Sequence, residues 1–461
     1  MTAPALADLQ ALASRLRQAG PRYTSYPSVP FWRTDVGDAG YRAALAELAA
    51  NQDDPIAVYV HLPFCLTRCS YCGCHAVVNR QPTAPDRYLD HVAIEIDRVA
   101  SLVGPRRRVT QMHWGGGTPN FLSDTQLRRL AALIGGALDL TPDAEISLEM
   151  DPRAAHPEQA GLLRELGFNR VSLGVQDLDP SVQEAIGRRQ SEAETVRLLE
   201  QCRAAAFTSV NVDLVYGLPK QTSTTLQRTL ERIVELAPDR IAAFGYAHMP
   251  HLRPNQRAID ASALPGADER LAAFHRVVER LTGAGYAWIG LDHFAREGDE
   301  LSAAAREGRL QRTFMGYTAL AAPNLLAFGA SGIGWVAGRF IQNEPALKRY
   351  GERLSTGELP VVRGLHPDRE DRLRGLVIEH LMCNLTIPWG LTLERFGVSV
   401  DEALPAEVTR LAALESEGLV EVGREGVRVS PAGRYFVRNV AMVFDRYLQT
   451  EPGPGTFSSA V

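Results

Sequence analysis

The sequence lacks the features that mark secreted, membrane-spanning and nucleic-acid-binding proteins. Cysteine is scarce, with 6 residues in 461, so a disulfide framework is not expected. No uninterrupted apolar run is long enough to cross a bilayer. Charged residues break up Met1–Gly20, so this stretch does not resemble a signal peptide. The net charge of -5 gives no overall attraction to nucleic acid. We therefore expect a cytoplasmic protein with neither a membrane nor a nucleic-acid partner.

Four of the cysteines are concentrated in one short stretch, directly after an apolar strand candidate. Their spacing is C-x3-C-x2-C-x-C, formed by Cys65, Cys69, Cys72 and Cys74. A structural zinc usually takes two separated pairs of ligands, and Cys202 and Cys383 are single and distant. Closely spaced thiolates suit three corners of an iron–sulfur cubane. The alternatives are a structural zinc and reduced core thiols.

A cubane held by only three thiolates leaves one iron open. A fourth cysteine ligand would make the cluster mainly an electron carrier. An open iron can instead bind the amino and carboxylate groups of S-adenosylmethionine (SAM). Reductive cleavage of its sulfonium would then give a 5′-deoxyadenosyl radical. The cysteine spacing therefore indicates radical chemistry rather than simple electron transfer.

Strand and helix patterns alternate along the first two thirds of the chain. The composition, 45% hydrophobic and 22% charged, is sufficient for a large core. Six apolar segments are predicted as strands: Ile56–His61, Val109–Trp114, Glu145–Met150, Arg170–Val175, Ser209–Val215 and Arg240–Tyr246. Helices are predicted between them at Asp86–Leu102, Asp124–Leu138, Pro157–Leu166, Glu192–Ala205, Ser223–Leu236 and Asp268–Thr282. This order predicts an α/β fold with an open, partial (β/α)6 barrel of the TIM type, whose ligands gather at the carboxyl ends of the strands.

Several predicted strand ends carry residues that suit a ligand. Gly115–Pro119 ends the second strand, and Glu149 ends the third. Gln176 ends the fourth, with Arg188 one short helix later, and Asp213 lies inside the fifth. Each has a simpler explanation: a turn without ligand, a solvated carboxylate or a helix cap. Their shared position at one edge of the sheet favours a common site.

The remaining segments predict an arm, a closing region, a small domain and a tail. Proline and aromatic residues in Pro21–Trp32 predict an extended arm, either packed on the body or covering a site. Leu291–Phe340 is glycine-rich and predicts loops that close the open side of the sheet. We expect an arm region over 1–50, a barrel over 51–363, a helical domain over 364–450 and a flexible tail over 451–461.

The C-terminal domain has the order of a winged helix. Helices are predicted at Asp371–Cys383, Leu391–Phe396, Ala406–Glu417 and Ala432–Tyr447, with strands at Leu419–Gly423 and Gly426–Ser430. A recognition helix for DNA should be basic. Ala406–Glu417 contains only Arg410 against three glutamates. Covering a catalytic face is therefore the preferred role over DNA binding.

These features together resemble the oxygen-independent coproporphyrinogen III oxidases, or coproporphyrinogen dehydrogenases, of the radical SAM superfamily. The resemblance covers nearly the whole chain, including Pro21–Pro27, the cysteine loop, His113–Pro119, Glu149–Arg153, Gly174–Asp177, Asn211–Pro219, Tyr246–Pro250, Asp292–Ala295, Phe314–Thr318 and Gly329–Ile333. Related radical SAM haem chaperones usually carry an aromatic residue at the position of Cys74 and lack the arm. The resemblance therefore favours a role of the arm at the site. One departure is Met315, where the family usually has Gln.

The resemblance implies the cofactors and the residues that hold them. A [4Fe–4S] cluster would be bound by Cys65, Cys69 and Cys72, and Cys74 would not be a ligand. Two SAM molecules are implied. Positions matched to the first are Tyr59, Gly116, Glu149 and Ile333, and positions matched to the second are Tyr71, Gly117, Thr118, Gln176, Arg188, Asp213 and Ala247.

The implied substrate is coproporphyrinogen III, two of whose propionates become vinyl groups to give protoporphyrinogen IX in haem biosynthesis. Arg22 is the candidate for contact with the substrate carboxylates, and Cys74 is a candidate for a role in substrate chemistry or in electron transfer. A flavodoxin- or ferredoxin-like electron donor, an electron acceptor and a monomeric protein are further expectations. The alternatives are a radical SAM haem chaperone, a radical SAM enzyme acting on another tetrapyrrole, and a non-enzymatic binding protein with a structural metal.

Overall fold

The computed structural model describes residues 4–78, 81–104, 106–320, 322–449 and 456–459. They form two compact units. The cysteine unit consists of Trp32–Asp213 and Ala321–His366, and the terminal unit consists of Met1–Phe31, Leu214–Leu320 and Pro367–Val461. The helices are α1 Leu6–Leu16, α2 Asp38–Ala50, α3 Ala84–Val103, α4 Asp124–Ala137, α5 Gln159–Glu165, α6 Pro180–Ala185, α7 Glu192–Ala204, α8 Ser223–Leu236, α9 Ala267–Gly283, α10 Glu300–Arg306, α11 Leu347–Ser355, α12 Arg369–Asn384, α13 Leu393–Phe396, α14 Val400–Ala403, α15 Pro405–Ser416 and α16 Val437–Met442.

The strands are numbered in the same way along the chain. They are β1 Ile56–Leu62, β2 Arg108–Gly116, β3 Asp139–Met150, β4 Arg170–Gln176, β5 Ser209–Tyr216, β6 Arg240–Gly245, β7 Tyr286–Trp288, β8 His293–Arg296, β9 Gln311–Thr313, β10 Gly316–Thr318, β11 Asn324–Phe328, β12 Ile333–Val336, β13 Arg339–Asn343, β14 Val361–Leu365, β15 Thr386–Pro388, β16 Val420–Val422 and β17 Gly426–Val429.

The sheet of the cysteine unit contains the predicted parallel strands in sequence order. The order is β14-β13-β12-β11-β1-β2-β3-β4, followed by the first residues of β5. β1, β2, β3 and β4 pair in parallel. β1 is apolar and buried along both faces, as expected for a strand covered by helices on a parallel sheet. The predicted alternation of parallel strands and helices is therefore confirmed for this unit.

The region predicted as loops at Leu291–Phe340 is partly strand, which is a correction. β11 pairs in parallel with β1, and β12 pairs antiparallel with β11. Every residue of β11 is buried. Its apolar run is only five residues long, follows Pro323 and ends at Gly329, so it gave a weak strand pattern in the sequence.

The terminal unit contains the end of β5, followed by β6, β8 and β7. β8 is antiparallel to both β6 and β7. β15, β17 and β16 form a separate antiparallel sheet beside α12 and α15, and this gives the winged-helix-like order predicted for the C-terminal domain. Val377, Leu381 and Phe444 are fully buried in its core.

The predicted last helix at Ala432–Tyr447 is wrong in its continuity. The structure has a 3-10 turn at Gly433–Phe436, then α16, then a second 3-10 turn at Arg446–Gln449. Arg374 Nη1 donates to the Phe444 carbonyl at 3.0 Å, and Arg410 Nη2 donates to the Val443 carbonyl at 2.6 Å. These two side chains satisfy carbonyls that a continued helix would have bonded.

The tail prediction covers residues of which only 456–459 are described. Within the terminal unit, Gly20 N donates to the Ser458 carbonyl at 3.1 Å. Arg438 Nη1 donates to the Ser459 carbonyl at 2.8 Å. This short segment therefore pairs with the start of the arm. No helix in the described part of the chain combines the length and the apolar composition that crossing a membrane requires.

Candidate active site

The cysteine loop begins where β1 ends, and its own backbone closes it. Val77 N donates to the Pro63 carbonyl at 2.6 Å, and Cys65 N donates to the Val77 carbonyl at 3.2 Å. Phe64 is buried and packs edge-on against Tyr88 with ring centroids 5.5 Å apart. The two ends of the loop are therefore held together at the carboxyl edge of the sheet, which is where the sequence predicted the site.

The second half of the loop is fixed by one arginine and by a neighbouring turn. Arg68 donates to the carbonyls of Ala76 and Cys74. Ser70 N donates to the Ile186 carbonyl at 2.9 Å. Because these bonds span the cysteines, they hold the backbone of the loop in a defined arrangement.

The thiols have different surroundings. Cys69 is buried, Cys65 and Cys72 are partly buried, and Cys74 is exposed. In the described part of the chain, no three His, Cys, Asp or Glu side chains converge closely enough to hold one metal ion. A tetrahedral zinc would place its ligand sulfurs about 4 Å apart, because each Zn–S bond is about 2.3 Å. A cubane binds each thiolate to a different iron and so does not require that convergence.

Cys74 lies beside Cys72 rather than apart from the three predicted ligands. Cys74 N donates to Cys72 Sγ at 3.4 Å. Hydrogen bonding from Cys74 lowers the pKa of Cys72 to about 6, although burial opposes the shift. A thiol with this pKa is largely a thiolate at neutral pH, which is the form that binds metal.

Two arginines approach Cys69 from the ends of β3 and β4. Arg153 Nη2 and Arg188 Nη1 each lie 3.8 Å from Cys69 Sγ. Both bind Asp151: Arg188 Nη1 at 3.0 Å and Arg153 Nη2 at 2.6 Å. Burial raises the pKa of Asp151, but the Arg153 hydrogen bond and the Arg188 charge outweigh it, so the net pKa lies below its usual value. Asp151 and Arg153 were not among the predicted site residues.

Glu149 and the glycines that follow β2 meet at the next strand end. Gly116 N donates to Glu149 Oε2 at 3.1 Å. His113 Nε2 lies 3.6 Å from Glu149 Oε1. Burial raises the pKa of Glu149, but the His113 hydrogen bond and charge outweigh it, so the net pKa is below its usual value. The carboxylate is therefore ionised and ready to accept hydrogen bonds from amine or hydroxyl groups.

Gly116 and Gly117 are required by packing as well as by any ligand. Gly116 has φ +122°, and a Cβ there would come within 2.7 Å of the His61 ring. A Cβ on Gly117 would lie 2.6 Å from the Phe64 carbonyl oxygen. The backbone of this turn is thus pressed against the start of the cysteine loop.

Tyr59 and His61 point along β1 toward the loop. Tyr59 O–H donates to His61 Nδ1 at 3.0 Å, and His61 Nε2 donates to the His75 carbonyl at 2.9 Å. Burial lowers the pKa of His61 to about 4. The ring is therefore neutral, and a proton on Nε2 faces the carbonyl. His61 was missed by the sequence reasoning because a lone histidine in an apolar strand gives no signal of its own.

Gln176 and Arg188, two of the residues predicted for the second SAM, lie close together. Gln176 and Arg188 lie over Gly174, where a Cβ would come within 3.0 Å of Gln176 Nε2 and 3.2 Å of Arg188 Nη2. Gln176 has a left-handed backbone, with φ +71°. Arg188 is also the arginine that contacts Cys69, and its positive charge acts on the Tyr71 hydroxyl.

Asp213 and Thr118 form hydrogen bonds with neighbouring protein groups. Asp213 accepts hydrogen bonds from Ser172 Oγ at 2.9 Å and Asn211 Nδ2 at 2.7 Å. Thr118 is buried, donates to Asn120 Oδ1 at 2.7 Å and accepts from Asp151 N at 3.1 Å. The charge of Asp213, which is partly buried in β5, is therefore stabilised by two hydrogen-bond donors.

Ile333 begins β12, after a turn that a buried carboxylate holds in place. Glu95 is fully buried and accepts from Gly329 N at 2.8 Å, Asn343 Nδ2 at 2.7 Å and Tyr350 O–H at 2.5 Å. Burial raises the pKa of Glu95 to about 7. The position of Ile333 thus depends on a helix residue that sequence reasoning did not single out.

Three predicted residues belong to the terminal unit. Ala247 follows β6, and its carbonyl accepts from Gln256 Nε2 at 3.1 Å. Met315 lies in the turn between β9 and β10, where its N–H donates to Thr313 Oγ1 at 3.1 Å. Arg22 forms an ion pair with Asp292. Arg22 is therefore already paired with a carboxylate of the chain.

Known proteins resemble this chain in sequence and in fold. The model of the radical SAM superfamily matches residues 59–233, and that of the HemN C-terminal domain matches residues 368–436. The chain belongs to the radical SAM superfamily, and the predicted fold class, cluster and SAM are confirmed with it. Within that superfamily, it is a member of the family of oxygen-independent coproporphyrinogen III oxidases.

That membership rests on similarity along nearly the whole chain. The oxygen-independent coproporphyrinogen III oxidase of Salmonella typhimurium is 40% identical over 451 residues, covering 98% of each chain. The enzyme of the same description from Escherichia coli is 39% identical over the same share of each chain. The solved structure of coproporphyrinogen III oxidase (HemN) from Escherichia coli, a radical SAM enzyme, matches with a TM-score of 0.90 at 38% identity, over 95% of this chain and 98% of that one.

Proposed function

We propose that this protein is an oxygen-independent coproporphyrinogen III oxidase. It converts two propionates of coproporphyrinogen III into vinyl groups and so forms protoporphyrinogen IX. Each propionate loses a hydrogen atom, carbon dioxide and one electron. The observation that carries the proposal is the closed cysteine loop at the end of β1, with the ionised Glu149 bound to Gly116 at the end of β2.

The donor set fits the cofactors. Cys65, Cys69 and Cys72 would hold the [4Fe–4S] cluster, since thiolates are its usual protein ligands. Glu149 and Gly116 suit the amine and backbone contacts of one SAM, and Arg188 suits a carboxylate of a second. When bound, these cofactors supply the radical that removes hydrogen from the propionate β-carbon.

The chain's own residues position and shield this chemistry. The Arg153 and Arg188 N–H groups near Cys69 Sγ stabilise negative charge on that sulfur, and hydrogen bonds to cluster sulfurs tune reduction potential. The neutral His61 fixes the Tyr59 hydroxyl. Glu95 holds the turn before Ile333. The organic chemistry belongs to the cofactors, and the protein supplies binding and orientation.

The partners follow from the electron balance. One electron must enter to start each SAM cleavage, so a flavodoxin- or ferredoxin-like donor is proposed, together with an acceptor for the substrate electron. All six cysteines are free thiols, which agrees with a reducing cytoplasm. We further propose that the enzyme acts as a monomer.

An anaerobic assay of the wild type and two variants tests the function. Reduced, cluster-loaded protein with SAM and coproporphyrinogen III should give 5′-deoxyadenosine, carbon dioxide and protoporphyrinogen IX. Cys69→Ala should abolish all three products. Cys202→Ala is the matched control, because Cys202 is a buried thiol outside the loop. Stable haem transfer without decarboxylation by the wild type would identify a haem chaperone and reject the proposal.

A further inference from the structure

A cleft in the terminal unit concentrates positive charge. Its cavity volume is about 70 Å³, which accommodates a carboxylate-bearing side arm and not a whole macrocycle. Its charged lining residues are Arg22, Arg270, Arg434, Arg438 and Asp292. Four guanidinium groups therefore face one carboxylate in this cleft, within the part of the chain that the structure describes.

Asp292, the carboxylate that lines the cleft, already interacts with Arg22 and His293. Asp292 forms an ion pair with Arg22 and lies 2.7 Å from His293 Nδ1. Its side chain is 5% exposed. The charge of Arg22 is thus neutralised within the chain. Arg22, which the sequence suggested as a substrate contact, is therefore not an uncompensated cation in this cleft.

The other three arginines have no carboxylate partner among the described residues. Arg438 donates to the carbonyls of Gly20, Pro21 and Ser459. Arg434 donates to the Trp288 carbonyl, and its guanidinium lies 4.2 Å from the Trp288 ring centroid. Arg270 Nε is buried without a hydrogen-bond partner. Carbonyls satisfy N–H donors but do not neutralise a charge.

Burial of the Arg434 and Arg438 charges is unfavourable. Arg438 is 7% exposed. Burial lowers the pKa of Arg438 to about 9 and that of Arg434 to about 10. An uncompensated buried cation costs free energy unless an anion joins it. The cleft is therefore built for an anion that the described chain does not provide.

The uncharged wall of the cleft is aromatic. The Tyr216 and Phe274 rings stack with centroids 5.3 Å apart, and Tyr435 packs edge-on against Phe274 at 5.6 Å. A small inorganic anion would have no use for such a wall. A carboxylate on a short apolar arm, such as a propionate, would use both the aromatic rings and the guanidinium groups.

We propose that this cleft binds one propionate arm of the tetrapyrrole substrate through Arg270, Arg434 and Arg438, with Tyr216, Phe274 and Tyr435 against the methylene groups of that arm. This inference rests on the proposed function, because the substrate class comes from it. Arginine suits the role because its planar fork binds a carboxylate through two parallel hydrogen bonds.

Binding of coproporphyrin III, the stable oxidised tetracarboxylate, tests the cleft directly. The dissociation constant is measured by fluorescence on anaerobic, cluster-loaded full-length protein. Arg270→Gln and Arg434→Gln should each weaken binding about tenfold or more, because each removes a charged hydrogen-bond donor. The tetramethyl ester has the same ring without charge and should show no such difference between the wild type and the variants.

The matched control is Arg276→Gln. Arg276 lies on the same helix, α9, and lines a different cleft, so the change in net charge is identical. It should bind coproporphyrin III as the wild type does. Arg270→Gln is the decisive variant because no hydrogen bond of the described structure depends on Arg270, and an unchanged melting temperature verifies its fold. Arg434→Lys, which keeps the charge, should recover part of the affinity lost in Arg434→Gln.

Two results would overturn the inference: wild-type affinity in both Gln variants, or no binding of coproporphyrin III by the wild type. Failure of the proposed reaction gives a different pattern. Arginine-dependent binding by a wild type that yields no protoporphyrinogen IX would reject the reaction and still support the cleft.

Discussion

Arg188 and Asp151 form a buried ion pair, with Arg188 Nη1 3.0 Å from Asp151 Oδ2 and side-chain exposures of 7% and 9%. Asp151 also binds Arg153, and both arginines reach Cys69 Sγ. One carboxylate thus compensates two guanidinium groups beside a predicted cluster ligand. Asp151 therefore positions the two guanidinium groups whose positive charge acts on the Cys69 sulfur.

The first prediction concerns this carboxylate. Asp151→Asn leaves two buried guanidinium groups without their counter-charge. Breaking a buried pair from one side costs roughly 3 kcal/mol of unfolding free energy, and the urea midpoint of the cluster-loaded protein measures it. Glu165→Gln breaks the exposed Arg128–Glu165 pair in the same unit and should cost less than about 1 kcal/mol. Equal losses in the two variants would contradict the role given to Asp151.

The second prediction concerns the turn that presses on the cysteine loop. Gly117→Ala places a Cβ 2.6 Å from the Phe64 carbonyl oxygen, so the loop must shift. We expect the variant to retain less iron per chain after anaerobic reconstitution, measured by iron and sulfide content.

Its control is a glycine with free space around it. Gly135→Ala lies in α4, where a Cβ meets nothing within 4 Å. This change should keep the iron content and stabilise the helix by about 1 kcal/mol. Wild-type iron content in Gly117→Ala would show that the loop tolerates displacement.

The third prediction separates the fourth cysteine from the cluster ligands. Cys74→Ala should keep wild-type iron and sulfide content, whereas Cys72→Ala should lose most of it. Cys74 donates hydrogen bonds to the Cys72 sulfur, and three thiolates suffice for a cluster with one open iron. A loss in Cys74→Ala equal to that in Cys72→Ala would make Cys74 a ligand.

The fourth prediction concerns pH. Burial raises the pKa of Glu95 from 4.5 to about 7. Between these values the folded protein holds a proton that the unfolded chain has lost, so the free energy of unfolding falls as pH rises through this window. Glu95→Gln should flatten that dependence, as measured by urea unfolding at several pH values.

Asp90→Asn is the matched control for the pH experiment. Asp90 lies on the same helix, and its side chain is 60% exposed. This variant should keep the wild-type slope of unfolding free energy against pH. A wild-type slope in Glu95→Gln would mean that another group titrates in this window.

Much of the fold could be predicted because its signals are local. β1 and the helices α4, α7 and α8 begin and end within a few residues of the predicted bounds. Ser123 and Ser191 each form a capping box with the residue three positions later, which is a local pattern. β11 was missed because its pairing with β1 joins segments far apart in the chain.

The sequence by itself determined the cysteine spacing, the order of parallel strands and helices, and hence the family. These depend on neighbouring residues, whose spacing is read directly along the chain. Only the tertiary structure decided that Arg153 and Arg188 both contact Cys69. It also decided that Arg22 forms an ion pair with Asp292. The shared cleft of Arg270, Arg434 and Arg438 is likewise visible only in the folded chain. Charge compensation depends on distances between side chains that folding brings together, and sequence separation contains no information about those distances.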